Sequence, residues 1–168
     1  MKKIILGVAF AMISTFSFSH SPVYVYEGGS QLNVGLGFSD IGTPFYLGVD
    51  FGVAPDITLG GEFSYRGYRE NWNNTYYDHS IMGFSGNGNY HFNSLLDIPP
   101  RWDFYAGLNV GFYVWNSPDT YDGSYSSGLG LGGQVGARCY LSNRVGLNLE
   151  FGGGNAFSGG KLGLSIKI

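Results

Sequence analysis

The chain has 168 residues, enough for one domain, and a formal charge of −3. Charged residues make up only 12% of it, about half the share of a soluble domain, while aromatics reach 17% and glycines number 29. The mildly acidic balance gives no electrostatic ground for a nucleic-acid partner, and the single cysteine, Cys139, excludes an intramolecular disulfide framework.

The N-terminus reads as a secretory signal peptide over residues 1–19. Lys2 and Lys3 form a basic start, Ile4 to Phe18 an apolar run, and the small residues Ser17 and Ser19 precede an expected cut before His20. The run is short for a transmembrane helix, and no cysteine stands at the cut for lipid attachment. Cleavage leaves about 149 residues as one domain, and loss of Lys2 and Lys3 takes the charge from −3 to −5. Residues 20–29 are read as an N-terminal segment and 30–168 as the folded domain.

From there the apolar residues recur with period two in eight segments, the signature of strands with one apolar face. Ser30–Ser39, Phe45–Ala54 and Ile57–Tyr68 come first. Ser80–Phe92 follows, interrupted by Gly86 and Gly88. Trp102–Trp115, Gly128–Leu141, Val145–Asn155 and Gly160–Ile168 complete the set. Each has roughly the nine to eleven residues that a tilted strand needs to cross a bilayer. The connections Pro55-Asp56 and Ser142–Arg144 are tight, whereas Arg69–Asp78 and Asn116–Ser127 are long and polar. Short inner turns and long outer loops fit a membrane barrel. Asp40–Pro44 and Ala156–Gly159 are short for outer loops, and Asn93–Arg101 is long for an inner turn. The predicted fold is all-β: an eight-stranded antiparallel up-and-down transmembrane β-barrel.

Opposite the apolar positions lie polar residues and many glycines, among them Gly35, Gly48, Gly107, Gly136 and Gly152. Glycine weakens a water-facing strand, but in a narrow barrel it makes room for large inward neighbours such as Tyr105 and Arg138. The polar face is therefore read as the lumen. It holds four acids, Asp50, Glu62, Asp103 and Glu150, and four bases, Arg66, Arg138, Lys161 and Lys167. Such a balance suits a structural ion-pair network in a side-chain-filled interior. Arg138–Glu150 is the expected pair, with Glu62 reaching Arg138 across the lumen.

Other motifs carry no chemistry. Gly128–Gly133 fits a nucleotide-binding glycine pattern, but strand alternation rather than a helix follows it. Asp119 and Asp122 lack calcium-loop spacing, and His20, His79 and His91 lack paired ligand spacing, so no metal or cofactor is expected. His79 and Ser80 are adjacent on a strand and point to opposite faces, which argues against a catalytic pair. Trp72, Tyr76, Tyr77, Trp115, Tyr121 and Tyr125 are read as loop aromatics, either a binding surface or part of an interfacial girdle.

The closing strand places Lys161, Gly163, Ile166 and Ile168 where a polar residue, a glycine and two hydrophobic residues stand in the C-terminal assembly signal of outer-membrane barrels. With the stretch Gly136–Gly154 before it, the chain resembles the small bacterial outer-membrane β-barrels, the porin-like outer membrane protein β-barrel domain family, in a Bacteroidetes-type form. The resemblance implies location in the bacterial outer membrane, lipid as solvent, and engagement of the barrel-assembly machinery through the last strand. It implies a non-enzymatic protein with a structural or surface-interaction role. The alternatives are loop-based binding of a glycan, lipid or host ligand, a narrow pore, or a lipid A-modifying enzyme.

Overall fold

The computed structural model describes residues 27–39, 41–72, 75–118, 127–155 and 158–168. The expected signal peptide and its cut before His20 lie outside them. Eight strands follow in chain order: β1 Ser30–Ser39, β2 Phe45–Ala54, β3 Ile57–Trp72, β4 Thr75–His91, β5 Trp102–Asn116, β6 Gly128–Tyr140, β7 Val145–Gly154 and β8 Gly159–Lys167. Each pairs antiparallel with its sequence neighbours, and β8 pairs with β1 from Gln31↔Lys167 to Ser39↔Gly159, so the barrel closes. Closure leaves no unpaired sheet edge around the barrel wall.

The molecule is inside-out relative to a water-soluble protein. Along β2, Tyr46, Gly48, Asp50 and Gly52 are buried while Phe45, Leu47, Phe51 and Val53 are exposed. The same parity holds elsewhere: Phe84, Val110, Leu131, Leu149 and Leu162 face outward. An outward apolar band around a polar interior is the arrangement that lipid, not water, stabilises. At the inner ends of the strands the band terminates in aromatics, with Tyr90 and Phe92 edge-to-face at 5.4 Å and Trp102 stacked on Phe104 at 6.0 Å. Amphipathic rings favour headgroup depth.

Two segments differ from the sequence reading. Arg69–Asp78, expected as a loop, is mostly strand: the β3–β4 ladder continues to Trp72↔Thr75. Beyond Tyr65 β3 has no pairing with β2, and before Ser80 β4 has none with β5, so the hairpin rises above the barrel as a two-stranded ribbon. Its residues lack apolar alternation because neither face meets lipid or a core. Cross-strand pairing supports it instead, with Arg69 Nε donating to Asp78 Oδ1 at 2.6 Å between directly opposed residues. Gly86 and Gly88 likewise do not interrupt β4.

The second is the long inner connection. It contains one turn of helix, α1 (Asn93–Leu96), ended by Asp97 in the left-handed conformation, φ 48°. Asn93 Nδ2 donates to the Trp102 carbonyl at 2.6 Å and Ser94 Oγ to Asp56 Oδ1 at 2.8 Å. The first bond ties α1 to the start of β5 and the second to the β2–β3 turn, where Asp56 adopts φ 60° after Pro55. Remaining strand ends shift by one residue, within ordinary boundary variation.

Candidate functional site in the barrel lumen

Inward parity from all eight strands delivers a polar interior divided into two linked clusters. The deeper one centres on Arg138 of β6, 2% exposed. Its Nη2 donates to Asp50 Oδ2 at 2.8 Å and its Nη1 to Asp103 Oδ2 at 3.1 Å. Asp103 is the direct register partner of Arg138, while Asp50 reaches it from across the lumen. Asp50 also accepts from Asn33 Nδ2 at 2.8 Å and Asn87 Nδ2 at 3.2 Å. The Tyr105 ring covers the guanidinium, 4.3 Å from Cζ to centroid. Gly136 stands opposite Tyr105, and a Cβ there would overlap the ring.

The second cluster lies nearer the outer end. Lys161 Nζ donates to both Glu62 oxygens at 2.8 Å and sits 2.9 Å from Glu150 Oε1. Glu150 is the register partner of Lys161, and Glu62 comes from β3 across the lumen. Tyr105 joins the clusters by donating to Glu150 Oε2 at 2.9 Å. The expected Arg138–Glu150 pair is therefore corrected. Their similar distance from the β6–β7 turn made them plausible, but register opposes Glu150 to Gly136 and Arg138 to Asn148. Arg138 reaches Asp50 and Asp103, and Glu62 binds Lys161 rather than Arg138.

The other two bases sit at opposite ends. Arg66 Nη1 donates to Ser39 Oγ at 3.0 Å near the outer ends of β1 and β3. Lys167 Nζ lies 5.0 Å over the Tyr140 ring at the inner end. There the Tyr140 hydroxyl donates to Gln31, whose amide donates to Asn33 Oδ1 at 3.0 Å. Ser165 Oγ donates to the same Asn33 oxygen at 2.7 Å.

His91 is the residue the sequence reading passed over. Histidine spacing offers it no metal site, but it shares inward parity with Asn87 and Asn89. Its Nδ1 lies 2.7 Å from Asp103 Oδ1 and its Nε2 3.0 Å from Thr58 Oγ1. A neutral ring donates to the carboxylate and accepts the threonine hydroxyl. The order hydroxyl–imidazole–carboxylate matches that of hydrolytic triads. All three residues are fully buried, however, and none lines the cavity of the outer lumen. The array is suited to holding Asp103 in place for Arg138.

At the outer rim His79 Nδ1 meets Ser117 Oγ at 2.9 Å, and Ser80 takes the other face. Of the six aromatics read as a loop set, three have described side chains. Tyr76 is 70% exposed on the ribbon, and Tyr77 beside it points to the opposite face. Trp115 is a strand residue of β5 on the inward parity, not a loop residue. Trp72 ends β3 with its side chain outside the described set, as are Tyr121 and Tyr125. On the ribbon the hydrogen bond from Arg69 holds the Asp78 carboxyl below its ordinary range.

The interior is not filled along its whole length. Above Arg138 and Asp50 a cavity of about 120 Å³ extends past the Lys161 cluster to the outer strand ends, where Ser39, Pro44 and Ser158 line it. The inner half holds the hydrogen-bonded plug.

A closed antiparallel barrel with an apolar belt, an aromatic inner rim and a polar lumen defines an integral outer-membrane β-barrel of the eight-stranded class. Solved structures agree. OprG from Pseudomonas aeruginosa superposes with TM-score 0.68 at 10% identity, over 88% of this chain and 99% of that one. Neisserial surface protein A gives 0.54 at 14% identity, over 83% and 94%. Ail of Yersinia pestis, in complex with the heparin analogue sucrose octasulfate, gives 0.53 at 16% identity, over 84% and 99%. At these identities the likeness is one of fold. No family model matches the sequence, and no curated protein matches it.

Proposed function

We propose that the chain is a non-enzymatic outer-membrane barrel whose role is structural or surface-interacting, with a lumen closed to steady ion flow. The observation carrying this reading is the inner plug, in which Arg138, Asp50, Asp103, His91 and Thr58 bond across the lumen with nearly complete burial. Side chains just fill an eight-strand interior. Reconstituted wild-type protein is expected to show no steady single-channel current in planar bilayers, and a large, stable current would overturn the plugged reading. Lipid A from expressing cells is expected to be unchanged by mass spectrometry.

Loop-based binding is the second reading, favoured by the free-standing ribbon with exposed Tyr76. The outer connections and the ribbon carry Asp40, Glu70, Asp78, Asp119 and Asp122 against Arg69. That acidic surface disfavours a polyanion such as the heparin analogue held by Ail. The mature chain is proposed to begin at His20 and to assemble through recognition of its last strand by the barrel-assembly machinery. N-terminal sequencing of protein from the outer-membrane fraction is expected to read from His20, and a chain starting at Met1 would refute the leader. A Bacteroidetes-type source rests on the closing hairpin motif alone.

A further inference from the structure

The inner connection between β4 and β5 carries an apolar surface that neither the plug nor the barrel wall uses. Leu95 and Leu96 of α1 are 66% and 64% exposed. Each helical residue advances about 100°, so even one turn has two sides. Asn93 and Ser94 take the barrel side, bonded to the Trp102 carbonyl and to Asp56, and Leu95 and Leu96 take the other. The short β6–β7 turn, at the same end of the barrel, instead exposes Asn143 and Arg144, as a turn in water does.

Three observations select lipid as the partner of this surface. The first is continuity with the apolar belt. Leu96 N–H donates to the Phe92 carbonyl at 3.0 Å, Asn93 holds the Trp102 carbonyl, and Asp56 immediately precedes Ile57, which is exposed on the outward face. Helix α1 thus hangs from the inner rim at three points. The second is the backbone. Asp97 and Ile98 N–H both bond to the Asn93 carbonyl, and Pro99 and Pro100 carry no N–H. From Leu96 to Pro100 no amide donor is left for water or for a partner strand, which is what a lipid surrounding demands. The third is size. Two leucine side chains fall far short of the ~800 Å² per partner that a stable protein interface buries. Exposed Asp97 beside them sets the depth at the headgroup boundary rather than in the hydrocarbon. The geometry points to an interfacial foot: Leu95 and Leu96 insert among the lipids of the inner leaflet where headgroups meet acyl chains. An anchor on this one side of the rim holds the height and tilt of the barrel against the bilayer.

The test uses the full barrel, with its leucine methyl groups labelled, in nanodiscs of phosphatidylethanolamine and phosphatidylglycerol. Methyl NMR signals are followed against two paramagnetic probes: a lipid with a nitroxide near the headgroup end of its acyl chain, and a water-soluble gadolinium chelate. The Leu95 and Leu96 signals are expected to lose most of their intensity to the lipid probe and to keep most of it with the chelate. Greater loss to the chelate than to the lipid probe would place the leucines in water. Retention against both probes would place them against protein, a second copy of the chain included. Either result overturns the inference. Loss of the Leu108 signal to a nitroxide at the end of the acyl chain verifies in the same sample that the barrel is embedded. Failure of the foot therefore leaves the plugged, non-enzymatic reading intact, because that reading is tested by conductance and lipid A analysis.

Discussion

Replacing Arg138 with Met is expected to destabilise the folded barrel by about 3–5 kcal/mol, the usual cost of removing one member of a buried ion pair. Met preserves most of the side-chain volume, so the loss is electrostatic. Asp50 and Asp103 would each keep a negative charge in a water-poor interior, with only Asn33, Asn87 and His91 left as partners. Replacing both acids by Asn in the same chain removes the orphaned charges, and the triple variant is expected to recover much of the loss. That coupling should exceed the coupling of Arg138→Met with Glu150→Met, since Arg138 and Glu150 are linked indirectly, through Tyr105. Urea unfolding in lipid vesicles supplies the measurement. Strict additivity of Arg138→Met with the Asp50 and Asp103 changes would refute the plug as a charge-coupled unit.

The second large effect lies on the other face. Leu108 sits mid-strand on β5 and is 74% exposed, because its register neighbours on either side, Gly88 and Gly133, carry no side chain to cover it. Leu108→Arg is expected to cost about 2–4 kcal/mol, the range for Arg on the lipid face at the bilayer midplane. Asn109→Leu, one residue on and facing inward, breaks a bond from Asn109 Nδ2 to Gln134 Oε1 of 2.9 Å and should cost less. Equal effects, or the reverse order in the same unfolding assay, would contradict the assignment of faces.

Much of the architecture was legible in the chain itself. β1 and β2 have the same ends in the sequence reading and in the structure, because alternation, a tight turn and lipid burial all act over a few residues. Which face is the lumen was legible too, since a lipid exterior admits no charge within a strand while a narrow interior requires glycine beside Tyr105. Two local features escaped. The ribbon from Tyr68 to His79 has no apolar face, so period two leaves no trace in it, and only the ladder of backbone bonds makes it strand. Helix α1 is too short for a helical period and depends on side chains of Asn93 and Ser94 reaching other segments.

The site divided along the same line. Parity alone assigned Asp50, Glu62, Asp103, Arg138, Glu150 and Lys161 to one interior, because side-chain direction alternates along every strand. Pairing among them was decided by the tertiary structure. Register set Asp103 against Arg138 and Glu150 against Lys161, and closure carried Asp50 and Glu62 across the lumen to meet them. His91 joined for the same reason, as its partners Thr58 and Asp103 lie on different strands. A sequence specifies which way a strand residue points. Which residue it meets depends on how seven other strands are staggered, and that stagger is fixed only when β8 pairs with β1.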